Sequence, residues 1–125
     1  MAKEKILEKD IEDYLRDEVK RRGWDIHKNI SDPRRGGTPG FPDETVILQF
    51  PNVLFVECKQ PKTIVPYMNK RRRYFDTGDT KGCSKTDVRQ FREHQRLIDL
   101  GHSVYVVGTY DEVDSFTEHA ESLYC

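Results

Sequence analysis

Gly40-Phe41-Pro42-Asp43 leads into an apolar run from Glu44 to Phe50, and after Pro51-Asn52 the chain continues Val53-Leu54-Phe55-Val56-Glu57-Cys58-Lys59. Two apolar runs joined by a short turn predict an antiparallel hairpin with strands over 44–50 and 52–59. Side chains alternate between the two faces of a strand. Val53, Phe55, Glu57 and Lys59 therefore share one face, and Leu54, Val56 and Cys58 the other. In such a hairpin the start of one strand lies beside the end of the next, which brings Asp43 to Glu57 and Lys59. Two carboxylates and an ammonium then meet at one end of a sheet.

Upstream, residues 3–22 predict an amphipathic helix. Ile6, Leu7, Ile11, Tyr14, Leu15 and Val19 recur at three- and four-residue spacings, and Gly23 is a stop. Alternation over 24–30 predicts a strand. Ser31 to Pro42 contains Pro33, Gly36, Gly37, Pro39, Gly40 and Pro42 and predicts a loop of sharp turns. Gln60 to Lys85 lacks a clear period and reads as a long basic insertion, with room for a short helix or an extra strand. Thr86 to Leu100 predicts a helix with the stripe Val88, Phe91, Leu97 and Ile98, capped by Ser84 or Thr86 and stopped by Gly101. Ser103 to Val107 predicts a strand. Asp111 to Leu123 predicts a closing helix with Val113, Phe116 and Ala120 inward. This order points to an α/β fold, a mixed β-sheet flanked by helices in one layer pair, within a single domain over residues 1–125.

The 125 residues are 35% hydrophobic, with a mean hydropathy of -0.82, which predicts one small core under a charged surface. No run approaches the roughly 20 apolar residues that span a bilayer. The N-terminal residues lack the apolar segment of a secretory signal, so a cytoplasmic setting is expected. Cys58, Cys83 and Cys125 make an odd count without C-x-x-C spacing, which predicts reduced thiols. His27, His94, His102 and His119 are not at zinc-ligand spacing and read as surface or cap residues. The net charge of -1 hides an asymmetry: Cys58 to Phe75 holds Lys59, Lys62, Lys70, Arg71, Arg72 and Arg73 and no acid. With Lys28, Arg34 and Arg35 these predict either a basic face suited to phosphates or a solvated loop.

Two hard carboxylate ligands select Mg²⁺ or Mn²⁺ over zinc, and the Cys58 carbonyl offers a third oxygen while its thiol turns away. A metal held there polarises a phosphodiester and lowers the pKa of a bound water. Lys59, charged beside two carboxylates, offsets transition-state charge or orients that water. The plain alternative is an ordinary hairpin with a surface salt bridge between Glu57 and Lys59, because E-x-K and P-D are each common.

Gly40-Phe41-Pro42-Asp43 followed by Phe55-Val56-Glu57-Cys58-Lys59 resembles the PD-(D/E)xK nuclease superfamily. Within it the chain resembles the VRR-NUC (virus-type replication and repair nuclease) family. Glu8-Lys9-Asp10-Ile11 continuing to Leu15 matches the family's opening helix. Gln90, Gly101 and Val104-Tyr105-Val106-Val107 match its later helix, glycine and strand. The resemblance implies a restriction-endonuclease-like core, with Asp43 and Glu57 as ligands of Mg²⁺ or Mn²⁺ and Lys59 as the catalytic lysine. It also implies Glu8 as an auxiliary acid and Gln90 as a polar group bordering the site. Glu12 lies one turn after Glu8 on the same face, so either is a candidate for the helix acid. The stretch 60–85 is longer and more basic than the family pattern.

The activity implied is structure-specific cleavage of branched DNA, such as four-way junctions, by a homodimer. The setting implied is phage or bacterial repair and recombination, in the host cytoplasm if viral. Arg34, Arg35, Lys62, Lys70, Arg71, Arg72 and Arg73 are the candidate phosphate contacts, with Tyr74 or Phe75 stacking on an unpaired base. The run 71–75 equally suits a subunit interface. The alternatives are a nuclease-fold DNA-binding module without turnover, or a nuclease cutting flaps or linear duplex.

Overall fold

The computed structural model describes residues 5–48 and 52–124, the side chain of Tyr124 aside. The predicted contributions of Lys3, Phe50, Pro51 and Cys125 lie outside these residues. Four strands, β1 (Asp25–Lys28), β2 (Glu44–Ile47), β3 (Val53–Cys58) and β4 (Ser103–Val107), form one sheet in the order β1-β2-β3-β4. The first three pair antiparallel and β4 joins β3 in parallel, so the sheet is mixed. Helices α1 (Glu8–Arg21), α2 (Pro61–Thr77), α3 (Lys85–Asp99) and α4 (Tyr110–Tyr124) flank it. This α/β arrangement is compatible with a PD-(D/E)xK-like core.

Helices cover both faces of the sheet, where the sequence predicts one layer pair. Val46, Leu54, Val56 and Cys58 pack with Ile11, Leu15 and Val19 of α1 and Val113, Phe116 and Ala120 of α4. Glu57, one residue out of phase with Val56, faces α3 instead. The second helical layer exists because the segment after β3 is a 17-residue helix, not an irregular insertion. Pro61 occupies its first turn, where a missing N–H costs nothing. Gly78 ends it in the left-handed conformation, its N–H reaching the Tyr74 carbonyl at 2.7 Å. Ile64, Tyr67, Arg71 and Tyr74 lie at three- and four-residue spacings. An arginine at the third position and Pro66 within the helix disguise that period. Ile64 is seated on the end of β4: a Cβ on Gly108 would lie 2.5 Å from the Ile64 Cβ.

α1 begins at Glu8, later than the apolar spacing predicts, because the Asp10 carboxylate accepts from the Leu7 N–H at 2.8 Å and fixes the first turn. Leu7 is exposed as a result. Ser84 caps α3 through a reciprocal pair: its Oγ accepts from the Asp87 N–H and its N–H donates to Asp87 Oδ2, both at 3.0 Å. Phe91 and Leu97 are buried as predicted, Val88 only partly, and Ile98 is exposed because the buried stripe passes through His94.

Candidate active site

The register of the hairpin sets the site. Glu44 pairs with Val56, so Asp43 comes level with Glu57. Asp43 Oδ2 accepts from the Cys58 N–H at 2.7 Å, which ties the entry of β2 to the exit of β3. Asn29 braces the turn from behind. Its N–H donates to the Asp43 carbonyl at 2.8 Å, its Nδ2 donates to the Pro42 carbonyl at 3.0 Å, and its Oδ1 accepts from Thr45 Oγ1 at 2.9 Å. The Asp43 backbone is thereby held on both sides.

α1 brings the third carboxylate. Oxygen atoms of Glu8, Asp43 and Glu57 all lie within 4.8 Å of one another. Glu8, Glu12 and Arg16 form an i, i+4, i+8 row, and each finds a different partner. Glu12 accepts from Lys28 Nζ at 2.7 Å, and Arg16 pairs with the fully buried Glu44 at 3.1 Å. Glu8 is thus the helix acid in the cluster, and Glu12 is engaged elsewhere. The cluster is electrostatically unsatisfied. Burial is the first cause that pushes the carboxyls of Asp43, Glu57 and Glu8 above the usual carboxylate range. Glu57 raises Asp43 further, while the Cys58 N–H pulls it back. Glu57 Oε2 is buried with no hydrogen-bond partner among the described residues. Three converging carboxylates with an orphaned buried oxygen suit a divalent cation bound through oxygen. Cys58 is buried on the opposite face of β3, and burial pushes its thiol up, so sulfur takes no part.

Lys59 follows Glu57 on the same face. Its N–H donates to the Val107 carbonyl at 2.9 Å and continues the β3–β4 ladder. Its Nζ donates to Gln90 Oε1 at 3.0 Å and lies 4.3 Å from the centroid of the Tyr67 ring. The Tyr67 hydroxyl donates to the same Gln90 oxygen at 2.8 Å. Gln90, expected as a polar neighbour of the site, anchors the lysine. Gly40 explains how α3 comes so close: at φ +81 it packs against the helix backbone, and a Cβ there would lie 2.3 Å from the Arg89 carbonyl oxygen. The turn that carries Asp43 thus touches the helix that carries Gln90. A cleft of about 360 Å³ opens beside them, lined in part by Glu8, Lys59, Tyr67 and Lys70.

His94 is the residue that sequence reasoning missed. It is not a surface or cap histidine: it is fully buried, with Nε2 at 3.3 Å from Glu57 Oε1. Arg71 Nε donates to its Nδ1 at 3.1 Å. Burial, then the charges of Arg71 and Lys59, hold the imidazole down to about 3, so it is neutral. The usable signal was position: His94 lies midway between Phe91 and Leu97 on the inward stripe. Arg71 accordingly points into the protein, its guanidinium 4.4 Å from the Phe75 ring centroid. The other basic residues stay outside. Arg34 pairs with Asp32 at 3.2 Å, Lys70 with Asp87 at 3.8 Å and Arg73 with Asp79 at 3.6 Å. Arg35, Lys62 and Arg72 are exposed and have no ion-pair partner among the described residues.

No protein-family model matches the chain. It is 35% identical over 107 residues to a protein of Acyrthosiphon pisum secondary endosymbiont phage 1 named "Putative nuclease p44", an alignment covering 85% of this chain and 87% of the phage protein. No helix of the described residues is long and apolar enough to cross a membrane.

Proposed function

Because the chain belongs to the family of that phage nuclease, we propose that it is a Mg²⁺- or Mn²⁺-dependent DNA endonuclease of the VRR-NUC type, one nuclease domain over residues 1–125. The observation that carries the reading is the meeting of Glu8, Asp43 and Glu57 within 4.8 Å, beside a lysine held by Gln90. Asp43, Glu57, Glu8 and the Cys58 carbonyl would hold the ion. A divalent cation supplies Lewis acidity to a phosphodiester and makes a water acidic enough to attack it. The protein's own groups do the rest. The Cys58 N–H and the Asn29 brace fix Asp43. Gln90 and Tyr67 aim the Lys59 ammonium across the cleft, where it offsets the charge that develops on a phosphate oxygen. Lys70 lines that cleft, Arg34, Arg35, Lys62, Arg72 and Arg73 are further candidate phosphate contacts, and Arg71 is set apart by its inward direction.

Branched DNA is the substrate class assigned, cut by a homodimer whose two-fold axis sets two sites on two strands. Recombination or repair in a bacterial cytoplasm, or in that of a phage-infected host, is the setting. The test is cleavage of junction, flap and linear duplex DNA with Mg²⁺, Mn²⁺ or EDTA, alongside Asp43→Ala and Lys59→Ala. Junction cutting with either ion, none in EDTA and none by Asp43→Ala supports the reading. Cutting that survives Asp43→Ala removes the assigned site, and equal cutting of linear duplex removes the structure preference. A protein that binds DNA and never cuts it is a binding module.

A further inference from the structure

We propose that His94, held by Arg71, is a positioning residue for this metal centre: it engages one oxygen of Glu57 and leaves the other as the atom that meets a divalent cation. The inference rests on the reading of the carboxylate cluster as a nuclease site. Arginine Nε can only donate, so the contact of Arg71 Nε with His94 Nδ1 at 3.1 Å makes Nδ1 the acceptor and places the ring proton on Nε2. Nε2 faces Glu57 Oε1 at 3.3 Å and donates to it. The remaining oxygen, Oε2, is buried and has no partner among the described residues. A buried carboxylate oxygen without a partner is costly unless a cation completes it.

The choice of an imidazole in this tautomer has a consequence. It gives Glu57 a hydrogen bond and no positive charge, so the carboxylate is oriented without being neutralised. Arg71 supplies the orientation at a cost of its own. Its guanidinium is drawn beneath α3, and its Nη2 is buried without a hydrogen-bond partner among the described residues. A cation kept there with one nitrogen unsatisfied is an expensive way to fill space. It is intelligible as the group that dictates which imidazole nitrogen carries the proton. Arg71 on α2, His94 on α3 and Glu57 on β3 thus form one relay of orientation across three elements.

The experiment is Mn²⁺ titration of the DNA-free protein, by calorimetry or by the electron paramagnetic resonance signal of free Mn²⁺. The variants are His94→Ala, His94→Gln, Arg71→Met and the control Leu97→Ala. Loss of a group that orients a ligand costs about 10- to 100-fold in metal affinity, which is the weakening expected of His94→Ala. His94→Gln, which keeps an N–H donor, recovers part of it, and Arg71→Met falls between. Leu97→Ala loosens the same helix one turn beyond His94, removes no polar group, and keeps wild-type affinity. A His94→Ala protein within about twofold of wild type overturns the inference, given the size of the expected effect. So does a Leu97→Ala protein that loses as much as His94→Ala. If His94→Ala does not fold, His94→Gln and Arg71→Met decide, and wild-type affinity in both overturns it. Failure of the nuclease reading is separately visible, as a wild-type protein that binds no Mn²⁺ or cuts no DNA.

Discussion

Gly40 and Gly36 make a matched pair for testing how the turn that carries Asp43 is seated. Both lie in the left-handed region, at φ +81 and +80. They differ in surroundings: a Cβ at Gly36 meets nothing within 4 Å, whereas at Gly40 it would lie 2.3 Å from the Arg89 carbonyl oxygen and 2.8 Å from the Gln90 nitrogen. Gly36→Ala therefore carries backbone strain alone, about 1–2 kcal/mol. Gly40→Ala adds the cost of forcing the turn off the backbone of α3, about 1–3 kcal/mol, for a total of about 2–5 kcal/mol. The lowered entropy of an unfolded chain with alanine in place of glycine is common to both and cancels in the comparison. For a chain of this size about 4 °C of melting temperature accompanies each kcal/mol, so Gly36→Ala is expected to melt about 4–8 °C below wild type and Gly40→Ala about 8–20 °C below. Thermal melts in EDTA measure both without contribution from metal. Equal drops for the two variants would show that the turn does not rest on α3, and the means by which Gln90 reaches Lys59 would have to be sought elsewhere.

Metal-free protein is expected to lose stability as pH rises from about 6.5 to about 8. Burial, first among the causes, raises the folded-state pKa of Asp43 and Glu57, Asp43 to about 8. Stability they lend is full below the ordinary carboxylate range and is lost as pH climbs through the folded values. His94, held down to about 3 by burial, acts in the opposite sense, but only below its ordinary value. Each proton kept by the folded chain and not the unfolded one gives a slope of about 1.4 kcal/mol per pH unit. A melting temperature in EDTA that stays flat or climbs over that window refutes this, and saturating Mn²⁺ should abolish the decline. Lys59→Ala is expected to slow cleavage about 10²- to 10³-fold with metal affinity retained. Tyr67→Phe, which removes one of two donors to Gln90 Oε1, should cost about 1 kcal/mol of stability; urea unfolding and single-turnover cleavage check the two variants. Arg72→Ala and Lys62→Ala should each lower the slope of log binding constant against log salt by about 1, and Arg71→Met should leave that slope alone.

The hairpin that carries Asp43, Glu57 and Lys59 was readable from the sequence because two continuous apolar runs are punctuated by Gly40, Pro42 and Pro51-Asn52. Glu8 against Glu12 was not decidable from spacing, since both lie on one helical face. The partner that engages Glu12, Lys28, comes from β1, and only tertiary structure pairs them. α2 was hidden by two residues. Pro66 reads as a breaker, and Arg71 occupies a place on the inward stripe where an apolar residue marks the period. His94 was hidden for a related reason, as a polar residue on the inward stripe of α3. Each looks anomalous on its own helix. Together they are complementary, because the buried donor of one satisfies the buried acceptor of the other.

The parallel pairing of β4 with β3 also dictates when during synthesis the site can exist. The three carboxylates and the lysine are all in the chain once residue 59 has been added, but Gln90 and His94 arrive with α3, and β3 gains its outer neighbour only with residues 103–107. A chain released early carries the acids but lacks Gln90 and His94. A truncated product would thus carry the residues of the carboxylate cluster without the helix that holds Lys59 and Glu57.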